Sequence, residues 1–195
     1  MGNDILYLTT LWRFQMHKKQ GYRAYAKHMA IISMCTAIII ISAWLTIPFT
    51  VSFTLQTLSI FVICSVFELK ISFASVALYI LLGFCGLPVF SGFSSGLAAL
   101  MGPTGGFILS FLLIPPIIRA FNASTKRKLA LSMSVSLLMC YILGTLWFVA
   151  VYGSFTVPNI LSALSVCVLP FILPDIAKII AAVFLSARLK TIIKL

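Results

Sequence analysis

Apolar residues run through this chain in long stretches, and the breaks between them are short and marked by charge, proline or glycine. Such stretches predict membrane-crossing helices, because about 20 apolar residues span the hydrocarbon core of a bilayer. The first covers residues 29–47 and stops at Pro48. The second, 53–68, stops at Glu68 and Lys70, and the third covers 71–87. A fourth takes 105–121 and a fifth 129–152. Beyond them come Pro158, Pro170 and Pro174, each of which removes a helix hydrogen bond and pushes its predecessor out of the helical basin. Residues 159–169 therefore read as a short helix or broken entry, and 174–190 as the sixth span. The expected fold is all-α: an integral-membrane six-helix bundle over 29–195, preceded by a basic leader over 1–28. The two halves share no Gly or Pro pattern, so an inverted repeat is not expected.

Composition agrees with a bilayer as the solvent. Of 195 residues 62% are hydrophobic and 9% are charged, against about 25% charged in an ordinary soluble domain. The net charge of +11 would suggest nucleic-acid binding in a soluble protein, but here the basic residues sit in clusters between apolar runs and no nucleic-acid partner is expected. The leader carries Arg13, Lys18, Lys19, Arg23 and Lys27; the second connection Lys70; the fourth Arg119, Lys126, Arg127 and Lys128; the tail Arg188, Lys190 and Lys194. The first, third and fifth connections carry none. Under the positive-inside rule both termini are cytoplasmic and the number of spans is even, in a multi-pass protein of the bacterial inner (cell) membrane. The leader lacks the apolar core and cleavage site of a signal peptide, and the nominal sequon at Asn122 falls in a cytoplasmic loop. Six spans leave no room for an ATP-hydrolysing domain, and the phosphate-loop motif is absent, so energy from ATP has to come from partners. Cys35, Cys64, Cys85, Cys140 and Cys167 are scattered singly through apolar stretches and read as small hydrophobes rather than metal ligands or disulfides; no cofactor is implied.

Candidate chemistry is sparse. Asp175 and Lys178 are the two ionisable residues inside a predicted span away from its cytoplasmic boundary, and each costs about 2.5–3.5 kcal/mol at a helix centre. Their spacing puts them on one helix face. Pro174 and Asp175 suit a helix start, whereas Lys178 opposes the helix dipole there. Either the two form a self-neutralising pair near the interface, or they serve a ligand reached from outside. The stretch from Gly86 to Gly106, with Phe90 and Phe93 among Ser91, Gly92, Ser94 and Ser95, is uncharged and glycine-rich. It could bring backbone amides and aromatic walls to a ligand, or merely join two helices. Gln56 and Thr57 add polar groups at the outer end of the second span. Ala30, Ser33 and Ala37 form a small-residue face on the first, fit for close approach by a partner helix or for internal packing. With one intramembrane carboxylate and no Ser/His or metal constellation, an enzyme is not expected.

Four segments together resemble the BioY family, the biotin-binding S components of energy-coupling factor (ECF) transporters. They are IPFTVSFTLQT at 47–57, LYILLGFCGLPVFSGFSSGLAALMGPTGGF at 78–107, YILGTLW at 141–147 and LPFILPDIAK at 169–178. The resemblance implies a six-helix protein that captures biotin at the outer face and delivers it inward with a T subunit and two ATPase subunits. It assigns vitamin contacts to Asp175 and Lys178, pocket caps to residues 48–56 and 90–96, and docking on the T subunit to Ala30, Ser33 and Ala37. Biotin's ureido group offers two N–H donors and a carbonyl, which a carboxylate and an ammonium on one helix face can satisfy, while its fused ring can stack on Phe93 or Tyr141. Its valerate carboxylate is left to Lys178, Gln56 or amides near Gly92. Two departures from the family pattern are Ser91-Gly92-Phe93-Ser94-Ser95-Gly96, where glycines are usual, and Pro174, where a Gly commonly precedes the Asp. The alternatives are a solitary biotin facilitator and an S component for another vitamin.

Overall fold

The structure, a computed structural model, describes residues 22, 25–47, 53–123, 125–152 and 157–193. Most of the expected leader, residues 48–52 of the first connection, and Ser124 of the nominal sequon lie outside them. Helix α1 runs over Tyr25–Trp44, starting inside the expected leader because Lys27 and His28 extend it past the apolar run with their polar ends free to reach water. It stops earlier than expected, since the residue before a proline is disfavoured in the helical basin and Ile47 precedes Pro48. Strands β1 (Thr46–Ile47) and β2 (Phe53–Thr54) instead form an antiparallel ribbon, with Thr46 opposite Thr54 and Ile47 opposite Phe53. This ribbon amends the all-α expectation, and it replaces the start of the expected second span, which begins as helix α2 at Gln56 (Gln56–Val66).

Helix α3 (Leu69–Phe84) follows an extended Glu68. The glycine-rich stretch forms a 3-10 turn at Ser91–Phe93 and a short helix α4 (Gly96–Met101), neither of them expected. Helices α5 (Gly105–Ser110) and α6 (Ile114–Ala120) continue one another through a 3-10 turn at Phe111–Leu113. That tightening follows from Pro115 and Pro116, which offer no N–H to the preceding carbonyls. Helix α7 spans Lys126–Tyr152. Helix α8 (Val157–Cys167), a 3-10 turn at Leu169–Phe171 and α9 (Ile172–Ile193) complete the described chain.

Three helical stretches are long and apolar enough to cross a membrane: Tyr25–Trp44, Lys126–Val151 and Ile160–Ile192. Gln56–Val66, Leu69–Phe84 and Gly105–Ala120 are apolar but shorter. At 1.5 Å per residue, the 11-residue α2 is only about 16 Å long, well short of a roughly 30 Å hydrocarbon core. The core joins α1, α2, α3, α6, α7 and α9 through Cys35, Ile39, Phe61, Tyr79, Ile114, Met133 and Ala182, all fully buried. Small hydroxyl residues tighten its seams. Thr36 Oγ1 lies 2.9 Å from Ile32 O and 3.1 Å from Ser75 O, tying α1 to α3. The five cysteines are free, Cys85 being the exposed one.

Helix α5 meets α7 at close range because glycines face bulky rings. A Cβ on Gly106 would stand 2.2 Å from Trp147 Cβ, and one on Gly144 would stand 2.3 Å from the Phe107 ring. Trp147 Nε1 in turn donates to Gly102 O at 3.0 Å, which pins the glycine-rich stretch to α7.

Candidate functional site

Two charges are buried where α9 begins. Asp175 is 4% exposed and Lys178 is 7% exposed, and Lys178 Nζ donates to Asp175 Oδ1 at 2.7 Å. The other carboxylate oxygen, Oδ2, accepts from Tyr141 Oη of α7 at 2.5 Å. Lys178 Nζ also stands 4.1 Å from the centroid of the Phe53 ring on β2, within cation–π range. Phe53 stacks against Phe171 of the preceding 3-10 turn, centroids 6.4 Å apart and planes 22° apart. Burying an ion costs several kcal/mol after relaxation, so these contacts are what make the arrangement tenable. Pro174 and Asp175 occupy the first turn of α9, where a carboxylate favours the positive end of the helix dipole. Lys178 gains nothing from that dipole. It is held by the carboxylate and the ring.

Beside these groups lies a cavity of about 70 Å³, lined by Thr54, Thr57, Phe107, Tyr141, Phe171, Asp175 and Lys178 among others. Thr57 Oγ1 is buried there without a hydrogen-bond partner. The wall is therefore mostly apolar, with four aromatic rings and with a carboxylate, an ammonium and hydroxyls on it. Such a wall holds a neutral polar ring by stacking and complementary hydrogen bonds.

Of the residues singled out in the sequence, Asp175, Lys178 and Tyr141 come together at this cavity. Gln56 is buried on the first turn of α2, next to Thr57, but does not line it; its Nε2 finds no hydrogen-bond partner. Ser91, Gly92 and Phe93 do not line it either. Their turn lies at the same end of the bundle, where Phe93, 63% exposed, meets Trp44 with ring centroids 5.2 Å apart. Trp44 Nε1 also donates to Pro88 O at 2.9 Å. Ala30, Ser33 and Ala37 are all exposed on α1, so packing within the described chain does not use them. Phe53, Phe107 and Phe171 were not singled out: aromatic residues in apolar runs carry no mark of their own, and only the fold shows which of them face a charge.

All four segments singled out in the sequence contribute to this cavity: Thr54 and Thr57 from 47–57, Phe107 from 78–107, Tyr141 from 141–147, and Phe171, Asp175 and Lys178 from 169–178. The BioY family model matches residues 15–195. The chain belongs to the BioY family. Among its relatives, the "Probable biotin transporter BioY" of Pyrococcus horikoshii is 34% identical over 167 residues, covering 85% of this chain and 97% of that protein. The biotin transporter BioY of Thermotoga maritima is 36% identical over 157 residues, covering 80% of this chain and 90% of its own. The solved S-component for biotin from an ECF-type ABC transporter superposes with a TM-score of 0.75 at 25% identity, covering 87% of this chain and 93% of that one. BioY proteins are thus described as transporters rather than enzymes, and with its membrane-capable helices this chain is a multi-pass membrane protein.

Proposed function

We propose that this BioY chain takes up biotin as the S component of an ECF transporter. It captures the vitamin at the Asp175 end and delivers it inward with a T subunit and two ATPase subunits. The observation that carries this reading is the buried Asp175–Lys178–Tyr141 cluster beside an aromatic cavity, in a chain whose relatives are biotin transporters. Asp175 accepts the ureido N–H groups and Lys178 donates to the ureido carbonyl, with Tyr141 and Phe171 flanking the fused ring. A site of this kind rejects analogues that lack the ureido group, because its own polar atoms would be left unpaired in a dry cavity.

The cavity of about 70 Å³ is smaller than the roughly 300–1,000 Å³ of ordinary ligand pockets. Biotin is admitted by displacement of Phe53, which now covers Lys178 and Phe171. Phe53 sits on a ribbon of two residues per strand, the smallest element at this end. Gln56 and the Ser91-Gly92-Phe93 turn then border the widened mouth and offer polar groups to the valerate chain. The chain crosses the cell membrane six times, the three shorter apolar helices included, with both termini cytoplasmic. The exposed face of Ala30, Ser33 and Ala37 receives the T subunit.

The test is direct binding of labelled biotin to the purified full-length protein. Asp175→Asn and Lys178→Ala are each expected to weaken binding about tenfold or more, since a hydrogen bond to a charged group is worth about 1.5–3 kcal/mol. Unchanged affinity in both variants, with the protein folded, removes the proposed site. Displacement by thiamine, riboflavin or folate rather than by unlabelled biotin would assign another vitamin. Uptake by vesicles holding this chain alone, equal to that with the T and ATPase subunits present, would make it a solitary facilitator.

A further inference from the structure

A second cavity, of about 400 Å³, opens at the opposite end of the bundle from Asp175. Lys27 and His28 of α1, Arg119 of α6 and Lys190 of α9 stand around it, with Glu68 as the single acid. All five are exposed, and among the described residues none of them is in an ion pair. Three separate helices thus bring cationic side chains to one hollow, where Lys27, Arg119 and Lys190 outnumber the one acid, Glu68. Its floor is apolar, made in part by Val66 and Phe67 at the end of α2.

The same Val66 and Phe67 also wall a groove of about 330 Å³ that runs along α2 between α1 and α9. Met34 and Ile38 form one side, Leu58 and Val62 the bed, and Leu185 and Leu189 the other side. The groove is almost wholly apolar. A basic hollow that leads into an apolar channel parallel to the helices has the polarity of a phospholipid laid against the bundle. A soluble anion would use only the hollow. Basic pockets between membrane helices suit anionic headgroups, at about 1 kcal/mol per Lys or Arg near the surface.

We propose that the hollow and the groove together hold one anionic phospholipid, its phosphate among Lys27, Arg119 and Lys190 and an acyl chain along α2. The site leaves the partner face open. Ser33 and Ala37 each precede a groove residue, Met34 and Ile38, and one residue turns a helix by about 100°. The lipid therefore braces α1 against α2 and α9 from one side while α1 presents its small residues on another.

Native mass spectrometry of the full-length protein, released from nanodiscs of mixed phosphatidylglycerol and phosphatidylcholine with matched acyl chains, tests this. One retained phosphatidylglycerol per protein is expected, preferred about tenfold or more over phosphatidylcholine. The double variant Arg119→Gln, Lys190→Gln should abolish the preference, whereas Arg127→Gln, Lys128→Gln, outside the hollow, should keep it. Val62→Phe and Ile38→Phe, which narrow the groove from two walls, should each lower retention; whichever of them keeps the wild-type thermal midpoint is the one compared. Equal retention of both lipids overturns the proposal, as does equal loss in the two charge variants. Full displacement by inorganic phosphate or by a polyglutamate peptide would also overturn it, in favour of a soluble anion or an acidic partner segment.

Discussion

Asp175 and Lys178 illustrate how a buried pair differs from two buried charges. Removing one partner leaves the other ion without a counter-charge in a dry surround, which costs about 3–5 kcal/mol, whereas replacing both by apolar residues of similar volume is often neutral or stabilising. Asp175→Leu alone is therefore expected to lower the thermal midpoint of the purified protein, and the double variant Asp175→Leu, Lys178→Met to recover most of that loss. The double variant should still fail to bind biotin. Recovery of stability without recovery of binding separates a functional pair from a structural one; a double variant that binds would refute the ligand role. The pair was legible in the sequence because ionisable residues are expensive within an apolar run, so their presence alone was informative. Gln56 and Thr57 were legible as polar groups, yet only the fold distinguishes Thr57, which lines the cavity, from Gln56, which is buried beside it. Phe53 was not legible. One aromatic among many in the chain becomes meaningful only when β2 sets its ring 4.1 Å from Lys178 Nζ.

At the scale of elements, glycines do two unlike jobs in the stretch from Gly86 to Gly106 and its partner α7. Gly92 has φ +65° and open space where a Cβ would go, so its requirement is conformational. Gly106 is helical and faces Trp147 Cβ, so its requirement is steric. Gly92→Ala is expected to cost about 1–2 kcal/mol, the left-handed penalty of an L residue. Gly106→Val must separate α5 from α7, adding overpacking of about 1–3 kcal/mol or more to the change. Thermal unfolding in detergent should show the larger drop for Gly106→Val, and the reverse order would contradict the close α5–α7 approach. The sequence shows helix limits well where proline or charge marks them, as at Glu68 and in the proline-flanked entry to α9. It shows α4 and the β ribbon poorly. Elements of six and two residues have no room for a hydrophobic period, and their positions are decided by distant contacts such as Trp147 Nε1 on Gly102 O.

Over the whole molecule, the two ends carry opposite kinds of chemistry. Helix α9 carries Asp175 in its first turn and Lys190 in its last; 15 residues at 1.5 Å each separate them by about 22 Å, most of a hydrocarbon core. Lys27, Arg119 and Lys190 converge on one hollow at that far end, so the clustering of positive charge along the sequence is also a clustering in space. The proposed orientation, which follows the positive-inside rule, puts the Asp175 cavity toward the outside and the basic hollow toward the cytoplasm. In that orientation Cys85, exposed just after α3, reports on the outer end, and Thr125, at the start of α7, on the inner. In right-side-out membrane vesicles a membrane-impermeant maleimide should label Cys85 without permeabilisation. In a Cys85→Ala background, Thr125→Cys should be labelled only once the vesicles are opened. The opposite pattern would invert the bundle, placing the Asp175 cavity on the cytoplasmic face, where a site there could release a vitamin but not capture it.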